Sequence, residues 1–370
     1  MTRAAALPGP TVEEWLCYVA SPLPGACLAL AMGAGLVGET AALTIFSLSF
    51  VGLNLAHMAA TWSRAYLDPR GLREALFERA VIPAILVLGA LGAEALGYGA
   101  ALLGTQYYLS LHHAMMQNYG LSRALQRRAG RSPSPLSLRV DQAACLLLPL
   151  GALLYRARAV SQTYSTAPLL SPPLALAIAI SILGALALVA HVTREILAAW
   201  RGEPVDPLGP AIIVSQVLLW TALPLWIEHP AIPLYALASG HYVQYLYFVW
   251  RFERARPGLG ILPSWLRARI APPSRIAYLV ALTGLGGIVV VLLSLGAVAF
   301  RAVAEATGAR PAGALPIPPW AAAMIGVNLA HYWLDRRIWR FREAPLVSAA
   351  SVPHATSHPM RSAEPILPGS

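Results

Sequence analysis

Lysine is absent from this chain: all 27 basic residues are arginine. Charge of either sign is scarce, at 12% of 370 residues, against roughly 25% in a soluble domain. So few charges cannot cover a water-facing surface of this size, which excludes a soluble globule. Cysteine is nearly missing as well. Cys17, Cys27 and Cys145 are odd in number and match no metal knuckle. They read as small apolar residues, with no disulfide framework implied. The missing lysine reads as compositional bias, not chemistry. The N-terminus is a poor signal peptide, because Arg3 is a weak basic region and Glu13 and Glu14 precede the apolar run.

What remains is 57% hydrophobic. A bilayer core takes about 20 apolar residues per helix. The expected fold is an all-α, polytopic integral membrane bundle of about ten transmembrane helices. The spans are expected near residues 16–37, 41–63, 80–96, 99–121, 140–156, 171–193, 210–228, 231–250, 276–299 and 318–336. Residues 1–343 form the membrane domain. Residues 344–370, rich in Pro, Ser and Ala, read as a disordered cytoplasmic tail.

The arginines orient this layout. With both termini and every second loop in the cytoplasm, only Arg156, Arg158, Arg301 and Arg310 of the 27 fall on the opposite side. That asymmetry is the positive-inside pattern of a multi-pass protein of the cell's inner (plasma) membrane. It also explains the net charge of +10 without nucleic acid. The bilayer is the expected partner, and a hydrophobic small molecule the expected substrate.

Six of nine histidines, His57, His112, His113, His191, His241 and His331, fall on the even-numbered spans. Those spans all run in one direction, and each histidine sits in the second half of its helix. Ionisable residues inside a membrane are costly and mark sites by default. Imidazole is the commonest metal ligand. The set is therefore expected to hold a metal, with iron favoured and copper, zinc or haem as the other candidates. Adjacent His112 and His113 point about 100° apart on a helix, so one of the two is expected to face the site.

A repeat reinforces this. Residues 52–57 read Gly-Leu-Asn-Leu-Ala-His and residues 326–331 read Gly-Val-Asn-Leu-Ala-His. Asn54 lies three residues before His57, and Asn328 three before His331, so each pair shares a helix face. Asn54, Asn328, Gln117, Gln244, Tyr242 and Asp335 are expected to orient the ligands or touch substrate. Packing of the two helices by their glycines is the competing use of the repeat.

No HxxxH or HxxHH box lies in the membrane-embedded part, and no CxxCH, Walker, GxSxG or dinucleotide motif is present. The multi-box pattern of membrane desaturases is therefore not met. Single histidines spread over many spans are similar in kind to carotene-cleaving membrane dioxygenases and to haem-copper oxidase subunits. That likeness is of architecture alone. The expected function is a membrane metal-dependent oxidoreductase: a non-haem iron (or copper) oxygenase or oxidase acting on a lipid or isoprenoid. A haem-binding, quinol-linked electron carrier is the first alternative. A metal-ion or proton-coupled transporter is the second.

Overall fold

A computed structural model describes residues 9–66, 76–163, 172–227, 231–255, 275–310 and 317–338. The tail at 344–370, together with His229, His354 and His358, lies outside them. Among the described residues 87% are helical and there are no strands. The helices are α1 (Val12–Trp15), α2 (Leu23–Gly33), α3 (Glu39–Tyr66), α4 (Ile82–Ala95), α5 (Gly99–Arg128), α6 (Pro135–Thr163), α7 (Leu174–Trp200), α8 (Leu208–Trp226), α9 (Ala231–Ala255), α10 (Arg275–Ala306) and α11 (Pro319–Ile338). Wider π turns at Leu16–Ala20 and Phe77–Val81 lead out of α1 and into α4.

Local chemistry places the ends. Thr11 and Glu14 form a reciprocal capping box at α1, satisfying two donors the helix leaves open. The α4 to α5 turn closes on Gly97 at φ 90°. There Tyr98 N–H donates to the Ala93 carbonyl and Gly97 N–H to that of Glu94. Only glycine adopts this left-handed end without a Cβ penalty.

Five helical segments are long and apolar enough to cross a bilayer: Glu39–Trp62, Pro135–Ala157, Leu174–Trp200, Leu208–Trp226 and Tyr278–Ala306. The pair Val12–Ala20 and Leu23–Gly33, bent by 44°, makes a sixth if it counts as one broken span. This supports a membrane protein but falls short of the ten expected spans. Helices α5, α9 and α11 are too polar to join the set, because they carry the histidines, glutamines and arginines discussed below. The α4 helix alone is 14 residues long.

The two most apolar segments face outward. Ile182, Leu183, Leu186 and Val189 of α7 are exposed, as are Ile288, Val291, Leu292 and Leu295 of α10. Large aliphatic side chains exposed in continuous stripes are unstable in water and suited to lipid. Elsewhere the helices approach closely through small residues, as membrane helices do. A Cβ on Gly184 would run into the Leu148 backbone, and one on Gly286 would lie 2.5 Å from the Leu55 carbonyl oxygen.

Among the ion pairs, two groups bear on the arginine layout. Glu14 pairs with Arg128 and Arg251, and Arg128 also with Asp206. Glu94 pairs with Arg301 and Arg310. The first group joins segments that the arginine bias puts on one side. The second joins segments it puts on the other.

The site sits in a ring of four helices, in which α3 contacts α9 and α11, and α5 contacts the same two. Helix α7 packs chiefly on α6, away from this ring.

Candidate metal centre

Each helix of the ring contributes one histidine: His57 from α3, His113 from α5, His241 from α9 and His331 from α11. Ring centroids are 4.4 Å apart for His57 and His331, 4.8 Å for His113 and His331, 4.9 Å for His57 and His241, 5.1 Å for His113 and His241, and 6.0 Å for His57 and His113. The Nε2 atoms of His113 and His331 are 3.2 Å apart. Asp335, one turn after His331, places Oδ2 3.5 Å from Nε2 of His331 and 3.8 Å from Nε2 of His113.

Ligand atoms of His57, His113, His331 and Asp335 all lie within 4.8 Å of one another, so the group can hold a metal ion. Bonds of about 2.0–2.1 Å put neighbouring octahedral donors about 3 Å apart and opposed donors about 4.2 Å apart. A shift of under about 1 Å would close the group on an ion.

His57 is 1% exposed, and neither ring nitrogen has a hydrogen-bond partner among the described residues. Nδ1 of His331 and Nδ1 of His241 are likewise buried without partners. Buried polar groups left unsatisfied cost about 1–3 kcal/mol each. Three such rings side by side make a poor packing solution and a good set of lone pairs.

The carboxylate is held from behind. Thr61 Oγ1 donates to Asp335 Oδ1 at 2.7 Å, and the Tyr245 hydroxyl donates to the same oxygen at 2.8 Å. Gln117 Nε2 donates to the His241 backbone carbonyl at 3.1 Å, bracing α9 where its histidine enters. Aromatic rings wall the cluster. Tyr245 lies 4.3 Å from His57 and Tyr242 5.0 Å, while Tyr332 stacks on His113 at 4.3 Å. Gln106 Nε2 donates to the Tyr332 hydroxyl at 2.8 Å.

A rule of spacing runs through this list. Thr61, Gln117, Tyr245 and Asp335 each stand four residues after a cluster histidine. Residues at i and i+4 share a helix face, so a polar side chain there points to the same interior. Reading the i+4 position after all four histidines would have found Thr61 and Tyr245, which sequence reasoning missed. Tyr332 carries no such signal, because it follows directly on His331.

The repeat now has a geometry. It sets α3 and α11 face to face, so that His57 meets His331 and the i+4 residues Thr61 and Asp335 hydrogen-bond. Asn54 and Asn328 are both buried one turn earlier, and Asn54 Nδ2 has no partner among the described residues. The two glycines differ. A Cβ on Gly326 would lie 3.0 Å from the Val87 Cα, while one on Gly52 would meet nothing within 4 Å.

Three expected residues lie elsewhere. His112 is exposed, turned off the cluster by the helical step that brings His113 in. His191 is buried on α7, with Nδ1 2.7 Å from Asp141 Oδ1 on α6 and 3.2 Å from Arg194 Nη2. It was expected on a span running in the same direction as theirs, but it lies outside their ring of helices. Gln244 Nε2 donates to the Tyr18 carbonyl at 2.6 Å, tying α9 to the N-terminal segment instead of the cluster. Its i+3 offset from His241 turns it to that side.

No family model, curated protein or solved structure matches this chain.

Proposed function

We propose that this protein is a ten-span membrane metalloenzyme of the inner (plasma) membrane, with both termini cytoplasmic, and that it oxidises a hydrophobic substrate at a single iron. The observation that carries the reading is His57: a fully buried imidazole with two unsatisfied nitrogens, beside two further histidines and a carboxylate. His57, His113, His331 and Asp335 are the ligands. His241 stands against them as a fourth imidazole that completes the shell or adjusts to substrate. A mixed imidazole and carboxylate set that leaves coordination positions open suits iron of the non-haem oxygenase kind. Copper is the next candidate. The metal would supply binding and activation of dioxygen. The chain's residues orient Asp335, exclude water and wall the centre with aromatic rings.

The donor geometry argues against haem. Axial ligands at about 2 Å on opposite faces stand roughly 4 Å apart with the macrocycle between them. Here Nε2 of His113 and Nε2 of His331 are 3.2 Å apart, and the other two rings occupy the flanks. A lipid or isoprenoid substrate fits a centre buried in an apolar bundle, reached from the bilayer and not from water.

The deciding experiment is elemental analysis of the full chain purified in mild detergent, before and after anaerobic loading with ferrous iron. About one iron per chain is expected, with no Soret band. Failure to retain iron, copper or zinc after loading would overturn the reading. Loaded protein should then consume dioxygen only when an isoprenoid or acyl lipid is supplied.

A further inference from the structure

A second feature lies well apart from the histidine cluster, at the end of α7. The loop between α5 and α6 turns on Gly130, at φ 82°. Between this loop and the last turns of α7 is an open cavity of about 820 Å³. One wall is apolar and formed by Leu186 and Val189, 62% and 63% exposed. These belong to the outward apolar stripe of α7, one of the least buried of the candidate spans. The other wall is basic, with Arg131, Arg194 and Arg201 as its cations and Glu203 as its lining acid.

These arginines are prepared to different degrees. Arg194 is consumed internally: it donates to Asp141, Glu195 and the Ser137 carbonyl. Arg131 is pinned by buried Glu195 and lies 3.9 Å from Glu203. Arg201 is exposed and forms no ion pair among the described residues. The residue before it, Trp200, is 83% exposed and ends α7. An exposed tryptophan followed by arginine at the end of an outward-facing apolar helix is the pattern of a membrane-interface anchor. The cavity thus has an apolar side at Leu186 and Val189, suited to acyl chains, and an exposed cation at Arg201, suited to a headgroup.

We propose that this cavity binds the headgroup of an anionic phospholipid, with its acyl chains lying along α7. Its phosphate would meet Arg201 and Arg131. Such a ligand matches both walls at once, whereas a soluble anion would leave the apolar wall unused. Bound there, the lipid would join α7 to the α5–α6 loop, and α5 carries His113. The proposal does not depend on the metal site.

The test is lipid retention by the full chain, delipidated in detergent and read by native mass spectrometry with added phosphatidylglycerol, phosphatidylcholine or inorganic phosphate. A basic residue near an anionic surface is worth about fivefold in binding. Phosphatidylglycerol should therefore be retained several-fold better than phosphatidylcholine. Arg201→Glu should erase the preference. Ala190→Trp, at an exposed cavity-lining position, should block retention of both lipids without disturbing the core. Equal retention of the two lipids by the unmodified chain would overturn the proposal. So would a preference that survives both substitutions, or retention of inorganic phosphate equal to that of the lipid. Metal content, measured in parallel, should stay unchanged in both variants.

Discussion

The support of Asp335 offers the sharpest test of the metal centre. Thr61→Val keeps the shape of the side chain and removes the hydroxyl that donates to Asp335 Oδ1 at 2.7 Å. Tyr245→Phe removes the second donor, at 2.8 Å. If Asp335 is a ligand, these two bonds help to set its orientation, and each loss should weaken metal affinity about 10–100-fold. That is about 1.4–2.8 kcal/mol at the metal. The cost to the fold should be smaller, since hydrogen bonds between membrane helices average about 0.6 kcal/mol. Thr61 also contacts the Tyr245 hydroxyl at 2.6 Å, so the two losses overlap and the double variant should fall short of their product. Affinity would be read by competition with a chromogenic chelator, and folding by helical content and thermal melting in the same detergent. Thr61→Ser, which restores the hydroxyl, should recover most of the affinity. Wild-type metal affinity in both single variants would refute the role of Asp335 as a held ligand. Parallel losses of metal and of fold would refute the separation of support from packing.

Other outcomes follow from the same geometry. His57→Ala and His331→Ala should abolish metal retention while the chain still inserts, whereas His112→Ala and His191→Ala should retain full metal content by elemental analysis. Gly326→Leu should cut folded yield sharply, because its added side chain runs into Val87 and Ala90, while Gly52→Leu should be tolerated. Equal damage from the two would mean that the repeat serves packing alone. Reporter fusions after Ser132 and Gly202 should read cytoplasmic, and fusions after Gly97 and Gly308 external. A split within either pair would break the ten-span layout.

Much of this protein was legible from its composition. Twelve per cent charge and long aliphatic runs leave lipid as the only solvent that fits, and the outward stripes of α7 and α10 follow from that shortage. The arginine asymmetry sorted the loops into two groups that the ion pairs of Glu14 and Glu94 keep apart. The histidines on α3, α5, α9 and α11 were conspicuous because an ionisable side chain within an expected span is costly. Helix periodicity even foretold that only one of His112 and His113 turns inward.

Tertiary structure decided which of these residues meet. His191 lay on a span expected to run with the others, though nearest the cytoplasmic edge, yet α7 packs on α6 and gives its imidazole to Asp141. Position along a helix reports depth in the membrane, but not which helices are neighbours. The glycines of the repeat are identical in sequence and differ because α4 lies against the Cβ side of Gly326, whereas the Cβ side of Gly52 is open. Asp335 could have paired with the arginines beside it in the chain. In the fold it reaches the cluster, where α3 and α9 bring Thr61 and Tyr245 to its carboxylate. Sequence determined the cost of each buried polar group. Only the packing of the helices determined which partners offset that cost.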